Sequence, residues 1–178
     1  MREWEFNNTV ARQLLDMLQK QGIACIYLNP EDQDISLQQR VHRELEIWRA
    51  AGDAKVSTLL LSIHANAAGM GEDFNPANGV ETLFMSKTGR IFAGAIQKHL
   101  VEATGLTDRS RESHHDIATY YDLFMLRKTA SVSALVECGF MTNFSEALKL
   151  RTPEFRSTVA GALCRGIVEF IESRQPAA

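Results

Sequence analysis

The sequence predicts an α/β fold, with a mixed, largely parallel central sheet flanked by helices on both faces. Two observations carry this expectation. Segments with helical apolar spacing alternate along the chain with short apolar runs of strand length. Those runs are close to continuous rather than alternating apolar with polar, as strands covered on both faces are. In such sheets ligands bind outside the carboxyl ends of the strands, so chemistry is sought in polar residues that follow a strand.

Each element has its own signal. Phe6, Val10, Leu14, Met17 and Leu18 recur at helical spacing with Arg12, Asp16 and Lys20 between them, and Gly22 follows as a stop, so the chain opens with an amphipathic helix. Ile23 to Leu28 is a short apolar run closed by Asn29-Pro30, which predicts a buried strand. Ser36 can cap a second helix in which Leu37, Val41, Leu45 and Trp48 form the buried stripe while Arg40, Arg43, Glu44 and Glu46 stay in water. Thr58 to Ile63 and Gly79 to Met85 are the next strands. A helix with Ile91, Ala95, Ile96 and Leu100 follows, then a polar stretch from Thr107 to Thr119. Leu123 to Leu126 and Val132 to Val136 have the length and composition of short strands. The stripe of Val159, Leu163, Ile167 and Phe170 predicts a final helix that frays into Gln175-Pro-Ala-Ala.

A chain of 178 residues with 45% hydrophobic content supplies one substantial core, and a single domain over residues 1–178 is expected. A net charge of −3 without a long Lys/Arg run removes the usual basis for binding nucleic acid. No apolar stretch is long enough to span a bilayer, and Met1 to Asn8 is charged and polar where a signal peptide would be apolar. Cys25, Cys138 and Cys164 are odd in number and widely spaced, which suggests neither a disulfide framework nor a metal knuckle.

Two strand ends stand out. In Ser62-Ile63-His64-Ala65-Asn66-Ala67 an imidazole arrives at the end of an apolar strand among small residues; a histidine so placed is more often a hydrogen-bonded structural residue than a metal ligand. In Ala134-Leu135-Val136-Glu137-Cys138-Gly139-Phe140 a carboxylate arrives likewise. Burial would raise its pKa towards the range useful for proton transfer, and a turn cap or an arginine partner is the bland alternative.

Together these segments resemble the two signatures of the zinc-dependent N-acetylmuramoyl-L-alanine amidases, in their order and at strand ends. The resemblance runs through most of the chain: Leu37-Gln-Gln-Arg-Val41 looks like the helix before the histidine strand, Gly79-Val-Glu-Thr-Leu83 like the next strand, and Leu126-Arg127 like the approach to the last one. It implies Zn2+ as cofactor, peptidoglycan as partner and substrate, and a location in the cell envelope or in a phage-delivered lysin. It also implies Glu137 as general base, His64 as a zinc ligand, and a second ligand from the first helix. Glu3, four residues before Asn7, matches that ligand, with Glu5 as the fallback; carboxylates are favoured at a helix start in any case.

The family carries its first histidine ligand on a Gly-His strand upstream of this glutamate. The chain as written is therefore expected to be N-terminally incomplete and to lack that strand. His42 and His99 fall within amphipathic helices, whereas His114 and His115 lie in the polar loop, where one could contact metal or substrate. Glu81 alternates with Leu83 and Met85, which places a carboxylate on a buried face, and a bond to the second nitrogen of a zinc-bound imidazole is expected for it. Asn66 and Arg127 are further candidates for positioning Glu137 or binding substrate, an ion pair at the surface being the alternative for Arg127. The competing readings are a degenerate domain that binds peptidoglycan or regulates an amidase without hydrolysis, and another zinc amide hydrolase on the same fold. A Cys138 nucleophile is disfavoured because strand alternation turns it away from the face of Glu137.

Overall fold

The computed structural model describes residues 1–31, 33–52, 58–69, 73–114 and 116–174, with the backbone alone at 112–114. Helix α1 (Glu3–Lys20) forms on the predicted stripe, with Phe6, Val10, Leu14 and Leu18 buried. The run after it, from Ile23 to Leu28, pairs with no strand among the described residues, contrary to expectation. It does keep a period of two, since Ile23, Cys25 and Tyr27 are half-buried while Ala24 and Ile26 are exposed. An extended segment without a hydrogen-bonded neighbour is not a strand, whatever its composition.

Helix α2 (Leu37–Ala50) starts where expected, Ser36 Oγ accepting from the Gln39 amide at 3.2 Å. Of its predicted stripe Val41, Leu45 and Trp48 are half-buried, but two positions depart from expectation. Leu37 is exposed, and Glu44, expected in water, is buried. The Glu44 carboxylate accepts from the amides of Ala130 (3.1 Å) and Ser131 (2.8 Å) and from the Ser131 hydroxyl (2.5 Å), so its burial is compensated.

Four strands form one sheet in the order β1-β4-β2-β3: β1 (Leu59–Asn66), β2 (Glu81–Phe84), β3 (Thr119–Tyr120) and β4 (Val132–Phe140). β1 pairs parallel with β4 and β2 parallel with β3, while β2 and β4 are antiparallel, giving the mixed, mostly parallel sheet that was expected. Both β1 and β4 run further than their apolar cores suggested, and this extension brings His64 and Glu137 inside the ladder.

On one face lie α1, α3 (Lys87–Thr104) and α7 (Pro153–Glu172), which share a core of Phe6, Phe92, Ile96, Leu100, Val136 and Leu163. Helices α3 and α7 approach so closely that a Cβ on Gly166 would come within 2.9 Å of Ile96 Cα. Ile91, expected in the α3 stripe, is exposed; Phe92, Ala93 and Gln97 are buried beside Ile96 and Leu100. The other face is covered by α5 (Phe124–Lys128) over a small cluster of Leu83, Leu126 and Leu135, with α2 against it. Here the expected strand at Leu123 to Leu126 is a helical turn, because a four-residue apolar run fits either period and packing decides. Two further short helices, α4 (Arg109–His114) and α6 (Phe144–Leu150), lie on either side of this region of the chain. No helix among the described residues is long and apolar enough to cross a membrane.

Because Glu44 satisfies three donors from the loop before β4, Glu44→Ala is expected to destabilise the fold by about 2 kcal/mol. Glu46→Ala, on the exposed side of the same helix, should stay within about 0.5 kcal/mol. Urea denaturation at pH 7 measures both, and equal midpoints would remove the structural role assigned to Glu44.

Candidate active site

The sheet register sets three titratable side chains in one row. His64 on β1 pairs with Glu137 on β4, and Glu81 on β2 pairs with Glu137 from its other edge. Directly opposed residues on neighbouring strands point to the same face, with Cβ atoms about 5 Å apart. At the end of this row the first turn of α1 delivers Glu3, whose Oε1 lies 2.8 Å from His64 Nδ1. Asn7 Nδ2 donates to the same oxygen at 3.1 Å, and His64 Nε2 meets Ser62 Oγ at 3.1 Å. Of the two acidic residues in this turn, Glu3 reaches the histidine; Glu5 turns back to the Arg2 amide. The bond to His64 holds the Glu3 carboxyl below its ordinary pKa, against the opposing effect of burial.

Glu137 is different. The residue retains partial exposure, yet its Oε2 is sealed from solvent and has no hydrogen-bond partner among the described residues. Burial pushes its pKa up to about 7; the neighbouring His64 opposes the shift, and the charges of Glu3 and Glu81 add to it. An unpartnered carboxylate oxygen beside a glutamate–histidine pair has room to accept a proton from a bound molecule.

Glu81 is held by side chains of two neighbouring elements. Its Oε1 accepts from Thr119 Oγ1 at 2.7 Å and its Oε2 lies 3.6 Å from Arg109 Nε, whereas both ring nitrogens of His64 are engaged by Ser62 and Glu3. In the row of register partners Glu81 stands across Glu137 from His64. The Asn66 side chain accepts from the Ala67 amide at 2.8 Å and shapes the turn after β1. Arg127 is gripped by both oxygens of Asp122 at 3.0 Å, near the start of β4 and so at the far end of that strand from Glu137. His42 pairs with Glu46 on the exposed side of α2, and His99 with Glu169 between α3 and α7. The side chain of His114 and the whole of His115 lie outside the described residues. Cys138 is fully buried among core residues, and burial raises its thiol pKa well above the ordinary value, which suits an inert side chain.

Two residues that the sequence reading passed over hold this end of the sheet. Glu146 is buried and accepts from the Gly79 and Phe140 amides, both at 2.7 Å, tying the approach to β2 to the end of β4. Its position three residues after the cap Asn143 reads as ordinary helix capping, which hides that role. Arg109 has its guanidinium 5.1 Å from the centre of the Phe140 ring as well as beside Glu81. It stood in a polar stretch that carried no other signal.

Glu3 and His64 supply an oxygen and a nitrogen donor of the kind zinc takes, and they meet at the rim beside the orphaned oxygen of Glu137. They fit two coordination positions. Among the described residues no group of three His, Cys, Asp or Glu is arranged to hold a metal ion.

Comparison with known proteins identifies the family of the chain. The sequence profile described as N-acetylmuramoyl-L-alanine amidase matches residues 1–169. The chain is 30% identical over 175 residues to the uncharacterized protein YqiI of Bacillus subtilis, covering 96% of this chain and 75% of that one. It is 30% identical over 172 residues to the N-acetylmuramoyl-L-alanine amidase LytC of the same species, covering 94% of this chain and 31% of LytC. Among solved structures, an N-acetylmuramoyl-L-alanine amidase from Clostridium difficile 630 superposes with a TM-score of 0.81 at 26% identity, over 98% of this chain and 87% of that one.

The raised pKa of Glu137 has a thermodynamic consequence. With chelator present, the folded protein keeps this proton up to about pH 7 while the unfolded chain loses it near the ordinary carboxylate value of 4.5. Stability contributed by the protonated form is therefore present at low pH and lost as pH rises through this window. Glu3 acts oppositely: its lowered pKa stabilises the fold above the ordinary value and is lost below it, outside the window of Glu137. Glu137→Gln should gain on the parent as pH rises from 5 to 8, approaching about 3 kcal/mol at the top from 1.36 kcal/mol per unit. Denaturation midpoints across this range measure the difference; a constant offset would mean that Glu137 ionises normally.

Proposed function

The chain belongs to the N-acetylmuramoyl-L-alanine amidase family, and from that premise we propose that it is a zinc-dependent hydrolase of the amide joining muramic acid to L-alanine in peptidoglycan. The observation that carries this reading is the buried, unpartnered oxygen of Glu137, with its pKa near neutrality, beside the Glu3–His64 pair. Glu3 and His64 would hold the ion. Zinc, when bound, polarises a scissile carbonyl and makes a nearby water more acidic.

Everything else falls to the chain's own side chains. Glu137 Oε2 takes the proton of the attacking water and passes it to the nitrogen that leaves with L-alanine. A carboxylate whose pKa lies near the working pH can perform both halves of this transfer. Asn7 and Ser62 fix the orientations of Glu3 and His64 so that their donor atoms face the same point. Its site of action is the cell envelope, whether the protein resides there or is delivered as a phage lysin.

A second reading, a domain that binds peptidoglycan without cutting it, is favoured by one observation: the described residues supply two zinc-type donors rather than three. Metal analysis and stem-peptide release from purified peptidoglycan separate the two. Under the hydrolase reading Glu137→Gln keeps the parent's zinc content and loses roughly 100- to 10,000-fold in turnover. His64→Ala should lose zinc and turnover together. Retained binding to peptidoglycan with neither zinc nor release in the parent would establish the binding domain instead.

A further inference from the structure

We propose that Arg109 anchors a carboxylate of the stem peptide and so sets which peptides this site accepts, an inference that rests on the amidase reading above. Its geometry is that of a held cation. Nε lies 3.6 Å from Glu81 Oε2, and the guanidinium sits over the Phe140 ring with Cζ 5.1 Å from its centre. Glu81 is itself buried and fixed by Thr119 Oγ1, and Thr119 in turn lies 3.3 Å from Ser110 Oγ. The cation is thus clamped from one side by a carboxylate and from beneath by an aromatic face.

This clamp leaves its outer edge free. Among the described residues the Arg109 guanidinium makes no hydrogen bond to any acceptor, and its side chain is 35% exposed. The Glu81 contact is an ion pair at 3.6 Å rather than a bidentate fork, so the terminal Nη donors remain for another partner. Their place is set by the sheet: Glu81 is the register partner of Glu137, so Arg109 stands one strand away from the proposed base, on the same face. Opposite, across Glu137, stand His64 and Glu3. A substrate whose scissile amide lies over Glu137 must extend one way towards its sugar and the other way towards its peptide. The peptide carries carboxylates, and Arg109 is the cation beside that path that the described residues leave with open donors.

The neutral alternative is that Arg109 serves only to balance the buried Glu81. The two roles separate on a matched pair of substrates, N-acetylmuramoyl-L-alanyl-D-isoglutamate and N-acetylmuramoyl-L-alanyl-D-isoglutamine, which differ by one carboxylate turned to carboxamide. The parent should prefer the acid by roughly 10- to 100-fold in kcat/KM, the scale of one charge-assisted hydrogen bond. Arg109→Gln should abolish this preference, chiefly through a higher KM for the acid substrate, and Arg109→Lys should restore part of it. The double variant Glu81→Gln/Arg109→Gln removes the buried charge along with its partner; it should fold as stably as the parent and remain unselective. A double variant that regains the preference, or an Arg109→Gln that loses equally on both substrates, overturns the proposal. If the parent releases nothing from either substrate, the amidase reading fails on its own. The test then moves to calorimetric binding of the dipeptide L-alanyl-D-isoglutamate, which should bind the parent more tightly than Arg109→Gln; equal binding, or none to either, overturns the role of Arg109.

Discussion

An ionisable oxygen sealed from solvent without a hydrogen-bond partner is a standing cost to a fold, and among the described residues Glu137 Oε2 is in that position, with the rest of the site arranged around it. β4 lies between β1 and β2, so Glu137 is flanked on both edges, by His64 and by Glu81. The two flanks act in opposite senses: His64 favours the charged form of Glu137 and Glu81 disfavours it. Burial outweighs these charges and raises the pKa of the carboxyl to about 7, near the midpoint between its two states at neutral pH.

Comparison with the other buried glutamates of this chain shows that the condition of Glu137 is not forced by burial alone. Glu44 accepts three hydrogen bonds, Glu146 two from backbone amides, and Glu81 one from Thr119 beside an ion pair with Arg109. Each of these ties together segments distant in sequence, which is what a satisfied buried carboxylate does well. Glu137, which keeps partial exposure, has one sealed oxygen without a hydrogen-bond partner among the described residues. A structural carboxylate would be expected to resemble its neighbours, and the exception stands beside the histidine.

His64 and Glu137 were legible in the sequence because each follows an apolar run, and the end of a strand is visible in composition alone. Glu3 was legible only through resemblance, since its contact with His64 spans two elements that no local pattern connects. The partners of Glu81 were not legible: alternation fixed the face of its side chain, but whether an imidazole, a threonine or an arginine stood there depended on the placement of β3 and α4. Short apolar runs failed for a related reason. Leu123 to Leu126 holds too few residues to distinguish a period of two from one of 3.6, and packing against Leu83 and Leu135 made it a helix. Ile23 to Leu28 has a strand's alternation yet pairs with no strand among the described residues. Pairing is a property of the neighbour as much as of the segment.

The site is therefore assembled from parts with different mechanical supports. Glu137 and His64 are fixed by sheet hydrogen bonds, and Glu146 locks the end of β4 to the approach of β2. Glu3 depends instead on how α1 sits against α7, through Phe6 and Val10 in the core and through Arg156, which donates to Thr9 Oγ1 at 3.3 Å and to the Leu150 carbonyl at 2.9 Å. A change that loosens α1 would withdraw Glu3 from His64 while leaving the Glu137 carboxylate in its sheet. The Glu3–His64 contact and the surroundings of Glu137 can thus be lost separately, because the first needs helix packing as well as strand register and the second rests on strand register.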